Sequence, residues 1–286
     1  MADEARIRLV VNADDFGSSR GANAAVLRAH REGILTSASL MVGGDAAEEA
    51  AAIARENPGL GVGLHLALAC ARPVLGPGQV PGLVGGDGRL DASPARAGLR
   101  FFLMRGLRRE LAAEIEAQLG RFVRMGLRAG HLDGHCNIHL HPTVLGLVLE
   151  RGRDWGLRSM RLTRDPWMLN LRLARGRHGY RASHAMVFHL LSMFAGRRLG
   201  RAGVGHVDRV FGLLQNDRVN EEYVLGLLGR LGPGTHELYC HPDEGAHREE
   251  AEALCSDRVR ARVRELGIRL VRHEDVARVS ANGRFR

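Results

Sequence analysis

Two adjacent carboxylates, Asp14 and Asp15, close the stretch Arg8-Leu-Val-Val-Asn-Ala-Asp-Asp-Phe-Gly17, an apolar run that reads as a buried strand followed by a turn-forming glycine. Desolvating such a pair is costly unless a cation or shared protons compensate. Side chains alternate along a strand, so the two are expected to point in different directions, one able to hold a metal while its neighbour handles a proton. The same residues also suit a plain turn with an Asx cap for a helix beginning near Gly21. Downstream, Gly61-Val-Gly-Leu-His-Leu-Ala67 carries one imidazole, His65, and the stretch from Gly130 to Pro142 carries His131, His135, His139 and His141, four of the chain's 14 histidines. A lone strand histidine is ordinary core. A cluster of this density beside a strand end suits a metal site, because imidazole is a favoured ligand for borderline divalent ions. One aspartate and two histidines from separate strand ends would leave coordination positions open for water and substrate, as in catalytic metal centres.

These residues need a scaffold that brings strand ends together. The chain has 286 residues, enough to bury a full core and to form a single (β/α) barrel. Apolar runs predict strands over 7–12, 36–42, 60–66, 128–132, 157–162, 206–211, 235–240 and 268–272. Helical patterns fall at 21–33, 45–57, 107–125, 142–155, 184–199, 219–231, 246–266 and 273–279. The alternation implies an α/β fold with a parallel sheet covered by helices, a complete or distorted TIM-like barrel over residues 1–286. Asp14, Asp15, His65, the histidine cluster and His241 in Tyr239-Cys-His-Pro242 all lie at the carboxyl ends of predicted strands, the rim on which barrel enzymes build their sites. Two segments break the rhythm. Residues 69–94, rich in proline and glycine, read as a long loop over the site. Residues 166–206 hold seven arginines and no acidic residue among many apolar side chains. They read either as a helical hairpin docked on the barrel or as a basic amphipathic insertion that meets a membrane surface or a lipid-tailed substrate.

The formal charge is +9, yet all 41 basic residues are arginine, aromatics are only 5%, and no nucleic-acid-binding motif is present. The charge favours anionic partners, lipid headgroups included, and not nucleic acid. Cys70, Cys136, Cys240 and Cys255 form no CxxC pair, and two of them neighbour candidate site histidines, which suits a reducing, cytoplasmic setting. No secretion signal and no apolar run long enough to span a bilayer are read, so any membrane contact would be peripheral, at the inner membrane. Nothing fixes the oligomeric state, and a homodimer is compatible.

Asn12-Ala-Asp-Asp-Phe-Gly17, Gly63-Leu-His65, His131-Leu-Asp-Gly-His135 with Ile138-His139, and Cys240-His-Pro242 together resemble the YdjC-like carbohydrate deacetylases, relatives of the chitooligosaccharide deacetylases that share a distorted (β/α) barrel. Ala38-Ser-Leu-Met-Val-Gly-Gly44, Arg72-Pro-Val-Leu75, Phe101-Phe102 and His139-Leu-His-Pro-Thr-Val144 are similar to the hopanoid-biosynthesis-associated (HpnK) branch. The resemblance implies that Asp15, His65 and His135 bind one divalent ion, Zn²⁺ or Mg²⁺ foremost and Mn²⁺ or Co²⁺ as alternatives, that Asp14 is the general base, and that His241 is the general acid, with His139 as its rival. It implies hydrolysis of the N-acetyl group of an amino sugar in a glycan or glycolipid, giving acetate and the free amine, with an N-acetylglucosaminyl hopanoid as the expected substrate and soluble chitooligosaccharides as the alternative. Cys136 and Asn137 stand where many relatives are richer in histidine. Asp133 either orients a ligand imidazole or caps its strand, and Arg161 holds Asp14 ionised, binds a sugar hydroxyl or is simply solvated. His131 and His141 suit packing or support of the ligands, and Glu237 and Asp243 flank His241. Two rival readings are a two-metal hydrolase of phosphate or other esters and a non-catalytic lipid- or glycan-binding protein on the same scaffold.

Overall fold

The structure, a computed structural model, describes residues 6–280 except 129, 153, 174 and 175, with the side chains of 277–280 also left out. The parts of the expected strand 128–132, helix 142–155 and insertion 166–206 that fall on these positions lie outside the described residues. In chain order the elements are β1 (Ile7–Phe16), α1 (Arg20–Glu32), β2 (Ser37–Leu40), α2 (Ala47–Glu56), β3 (Gly61–Leu66), α3 (Pro94–Leu103), α4 (Leu107–Arg124) and β4 (His131–Gly134). An irregular turn at His135–Leu140 leads to α5 (Pro142–Arg151), β5 (Ser159–Met160), α6 (Trp167–Leu173), α7 (His178–Ala202) and β6 (Arg209–Phe211). The chain ends with α8 (Glu221–Leu228), β7 (Gly234–Cys240), α9 (Arg248–Cys255), α10 (Asp257–Glu265), β8 (Arg269–Leu270) and α11 (His273–Ser280).

All named strands pair in parallel, in the order β5-β4-β3-β2-β1-β7-β6, with β8 added against the first half of β1 at Arg8 and Leu9. The sheet curls into a half-barrel. Its two edges meet through a single parallel bridge at Ser159 and Gly205, with Gly205 N–H to the Arg158 carbonyl at 2.8 Å and Met160 N–H to the Gly205 carbonyl at 2.9 Å, and through Val210 N–H to the Arg164 carbonyl at 3.2 Å, so among the described residues the ladder is left incomplete. The α/β class and distorted barrel type expected from the βα alternation are thus what the chain adopts.

Strand periodicity explains where the chemistry sits. One parity of β1–β4 and β7 (Leu9, Val11, Ala38, Leu40, Leu64, Leu132, Leu238) is apolar and fully buried under the helices. The other parity (Asn12, Asp14, Ser39, His65, His131, Asp133, Glu237) is polar, equally buried, and lines the concave side. Below that polar layer, Val10, Val210, Tyr239, Val271 and Val276 form a small second cluster that closes the base. Gly63 belongs to the same arrangement, since a Cβ there would come within 2.4 Å of the His131 ring.

Local signals set several helix starts. Ser19 caps α1 through a 2.9 Å bond from Ala22 N–H, and Pro142 opens α5 behind the cap residue His141. Three expectations need correction. The helix expected over 246–266 is two helices, because Ser256 caps a new start by accepting from Val259 N–H. Residues 94–103, unassigned from their pattern, form α3 behind the Ser93 cap. The 166–206 segment is the short α6 followed by the 25-residue α7, and α7 is not amphipathic in the expected sense, since apolar residues occupy both its buried and its exposed faces.

Candidate metal and proton-transfer site

The adjacent aspartates do not simply alternate. Ala13 of β1 pairs with Ala38 but Phe16 pairs with Leu40, so β1 carries an extra residue, and Asp15 takes a left-handed φ of 58°. The bulge departs from the expected strand alternation and places both carboxylates on the wall of one cavity of about 150 Å³. His135, Cys136, Asn137, Asp217, Tyr239 and His241 also line it.

Asp15, His65 and His135 come together there. Asp15 Oδ1 lies 2.9 Å from His135 Nδ1 and 3.2 Å from His65 Nε2. The other ring nitrogen of His65, Nδ1, donates to Asp133 Oδ1 at 2.8 Å, which leaves Nε2 as its free donor atom. Asp133 therefore orients an imidazole, one of the two roles its position suggested. Burial pushes the Asp15 carboxyl up, but the bonds from His135 and His65 outweigh this and hold it well below the usual carboxylate range. Burial likewise opposes charge on His65, yet Asp133 and Asp14 overcome it and raise the imidazole to about 10. For His135, burial is outweighed by the bond to Asp15, and the ring again rises to about 10. Both imidazoles are thus drawn toward their positive form beside Asp15, so the cluster favours positive charge. A single divalent cation meets that preference, and one carboxylate with two imidazoles is a donor set such ions accept.

A second group of close donors, Asp14, His65 and Asp133, overlaps the first. It already holds a cation, the guanidinium of Arg161. That side chain is completely buried. Its two terminal nitrogens donate to Asp14 at 2.7 and 2.6 Å, and one of them lies 2.7 Å from Asp133 Oδ2. Its Nε donates to Glu237 Oε1 at 2.8 Å, and the Tyr239 ring stacks 4.2 Å from its centre. Burial works against this charge, but Asp133, Asp14 and Glu237 raise the guanidinium well above its ordinary value. The geometry thus places Arg161 against Asp14 and rules out the solvated alternative. Asn12 Nδ2 adds a 2.8 Å bond to Asp14 Oδ1. Asp14 Oδ2 accepts only from Arg161, so it keeps a lone pair for a proton from the cavity.

His241 is three-quarters or more buried on the same cavity, its backbone N–H donating to Glu250 Oε2 at 2.6 Å and its Nδ1 lying 3.8 Å from Asp217. His139 sits elsewhere. It is fully buried, its Nε2 donates to the Arg161 carbonyl at 3.1 Å, and burial lowers it to about 4. It does not line the cavity, so its geometry fits support of the Arg161 segment and not proton delivery. His131 is pushed down to about 3 by burial and by the neighbouring His273, on which it stacks with ring centres 4.3 Å apart. His141 caps α5 and packs edge-on to Phe101 and Phe102. Glu237 faces inward onto Arg161, whereas Asp243 accepts from Ser19 near α1.

Several contributors escaped the sequence reading. Glu250 ties two loops together, accepting from Val219 N–H through one oxygen and from His241 N–H through the other. Asn216, Asp217 and His247 reach the cavity from loops that carry no strand-end signal. Ser39 bridges Asn12 and Asp133. Beside the cavity, sharing Cys136, Asn137 and Asn216 with it, lies a larger pocket of about 480 Å³ walled by apolar residues of α3 and α7, among them Leu99, Val187, Phe188 and Leu191.

A parallel half-barrel with an Asp-His-His cluster and an arginine-bound carboxylate at its strand ends defines a recognisable class. Residues 8–265 match the family described as YdjC-like protein. The chain is 32% identical over 260 residues to a carbohydrate deacetylase of Geobacillus stearothermophilus, covering 91% of this chain and 87% of that one. It is 43% identical over 162 residues to a carbohydrate deacetylase of Brevibacillus brevis and 39% over 160 residues to a chitooligosaccharide deacetylase of Enterobacter sp. (strain 638), and each match spans 60% of the relative's length. A crystal structure from Enterococcus faecalis V583, provisionally assigned to cellobiose-phosphate cleavage, superposes with a TM-score of 0.69 at 25% identity, covering 94% of this chain and 98% of that one. The chain belongs to the YdjC-like protein family.

Proposed function

We propose that the protein is a metal-dependent carbohydrate deacetylase that hydrolyses the N-acetyl group of an amino sugar to acetate and the free amine. One observation carries the reading: an Asp-His-His donor cluster shares a cavity wall with a buried, arginine-clamped Asp14. The names of the relatives support the same class of reaction.

Asp15, His65 and His135 would hold the cation, which when bound supplies Lewis acidity and a lowered pKa for water. Asp14 accepts the proton of the attacking water. Arg161 and Asn12 fix the plane of its carboxylate, so no reorientation is needed as charge moves. His241 lines the same cavity and delivers a proton to the departing nitrogen. Asp133 fixes His65 in the tautomer that presents Nε2.

The finer reading is that the sugar is joined to an apolar aglycone, as in an N-acetylglucosaminyl hopanoid. The resemblance to the hopanoid-associated branch suggests it, and the adjoining pocket of about 480 Å³, largely apolar and sharing Cys136, Asn137 and Asn216 with the cavity, supports it. The single domain with an insertion near 166–206 is the arrangement this reading assumes.

The test is acetate release, with product mass spectrometry, from an N-acetylglucosaminyl hopanoid and from chitobiose, each with Zn²⁺, Mg²⁺, Mn²⁺ or Co²⁺. Release from neither substrate refutes the deacetylase. Preference for chitobiose refutes the lipid-linked substrate alone. His241→Gln is expected to lower kcat by about 10²–10⁴ without loss of bound metal, and an unchanged kcat removes His241 from the mechanism.

A further inference from the structure

Over residues 185–195 helix α7 carries apolar side chains on both its inner and its outer side. Its inner side buries Ser192, Ala195 and Leu199 against the barrel, with Phe188 and Leu191 packed beside them. On its outer side Met186, Val187, Leu190, Met193 and Phe194 form a stripe about 120° wide at 100° per residue, and they are exposed by 42–65%. A surface helix normally keeps its outer face polar, so this face lacks its partner. Helix α3 repeats the pattern with Leu99, Phe102 and Leu103, each at least 60% exposed. The two helices flank one pocket, with Leu99 of α3 and Val187 of α7 both on its wall.

The charge around this face is one-sided. Residues 166–206 contain seven arginines and no acidic residue. Arg197 and Arg201 on α7, and Arg105 and Arg109 just beyond α3, are exposed and have no carboxylate partner among the described residues. Some arginines elsewhere on the surface are paired, as in Arg28–Glu244, Arg108–Glu150 and Arg258–Glu221, whereas others, such as Arg20, Arg124 and Arg209, are not, among the described residues.

We infer that the exposed faces of α3 and α7 dock the protein on an anionic lipid bilayer. Apolar side chains enter the headgroup–acyl boundary, and the arginines, weakly hydrated and able to grip phosphate with two nitrogens, rest on the headgroups. A second copy is the poorer occupant. A two-fold dimer would press this face on itself and bring arginine against arginine, with no acidic group in the segment to answer them. Docked this way, the pocket between α3 and α7 opens at the bilayer, next to the cavity lined by Asp14 and Asp15 with which it shares Cys136, Asn137 and Asn216. A membrane-resident molecule would then reach the site from the side. That consequence rests on the proposed hydrolase activity, whereas the docking does not.

The experiment is flotation of the full chain with phosphatidylcholine vesicles, with and without phosphatidylglycerol. Wild-type protein is expected to float with the anionic vesicles and to be released by high salt. Combining Phe102→Gln, Met186→Gln and Leu190→Gln, all exposed and outside both cavities, should lower the partition coefficient roughly tenfold or more while the melting temperature holds. Arg197→Gln with Arg201→Gln, which alters no packing, should remove the preference for anionic lipid. Absence of wild-type flotation overturns the inference, as does flotation unchanged in both variants. It is equally overturned if sedimentation shows a wild-type dimer that the triple variant dissociates while vesicle binding is unaltered. Loss of acetate release with normal flotation would count against the hydrolase alone.

Discussion

Removing the buried arginine tests the electrostatic logic of the site without requiring any catalytic assay. Arg161→Met keeps roughly the stem length but leaves Asp14, Asp133 and Glu237 without their shared cation. Breaking a buried ion pair by removing one partner typically costs about 3–5 kcal/mol. A second route gives a similar figure. Burial pushes Glu237 up, yet Arg161, and after it His273, hold the carboxyl at about 2 against an ordinary 4.5. At about 1.4 kcal/mol per pH unit, that depression is worth roughly 3 kcal/mol of native stability. The sign follows. In the wild type the folded-state value is depressed, so the contribution is present above about pH 4.5 and is lost only as the pH falls through about 2. In the variant burial pushes Glu237 and Asp133 up against only the weaker pull of His273 and His65, so the folded state takes up protons more readily and loses less stability as the pH falls. The gap between the two proteins is therefore expected to be about 3–5 kcal/mol near pH 8 and to narrow toward pH 5. Urea unfolding followed by tryptophan fluorescence measures it. A gap below about 1 kcal/mol, or one that stays constant over that range, would show that the three carboxylates do not depend on Arg161.

Asp133→Ala removes the acceptor that sets the His65 tautomer, and metal affinity should fall by about 10–100-fold in a chelator competition. Equal affinity would mean that His65 is not oriented through Nδ1. In chelator-treated protein, His65 and His135, held at about 10 chiefly by Asp133 and by Asp15 respectively against the pull of burial, contribute stability that is complete below about 6.5, declines above it and is lost as the pH rises through 10. Protein supplied with a divalent ion should keep a flatter melting profile over the same range, because the ion replaces the two protons. Identical profiles with and without metal would separate the cluster from metal binding.

The candidate site residues were legible because they follow apolar runs that read as buried strands. Eight runs were expected and eight strands occur among the described residues, with the four motifs at the carboxyl ends of four of them. What stayed hidden depends on non-local geometry. The bulge that turns Asp15 beside Asp14 is a positive-φ kink at a non-glycine residue, and strand alternation predicts the opposite outcome. Arg161 reads equally well as a solvated side chain until three carboxylates from β1, β4 and β7 are seen to converge on it. His273 marks only a helix start in the sequence, yet its ring stacks on His131 and its Nε2 lies 3.2 Å from Glu237. Ser256 did carry a readable signal, a capping serine with Asp257 in the following turn, and an apolar pattern continuing past it concealed the break.

The charge count of the concave face links these hidden contacts to the proposed chemistry. Asp14, Asp15, Asp133 and Glu237 bring four carboxylates into a largely water-excluded space, and Arg161 offsets only one of them. Isolated buried carboxylates would take up protons, and a protonated Asp14 could not act as a base. Arg161 opposes that at Asp133 and Glu237, whose carboxyls it pulls down against burial, and it grips Asp14 by direct bidentate contact. Three negative charges remain, and compensating positive charge is best placed beside Asp15, where the two imidazoles converge on its Oδ1. Two protons would supply two of the three but consume both imidazole lone pairs. A divalent cation would supply as much while leaving an open face toward the cavity.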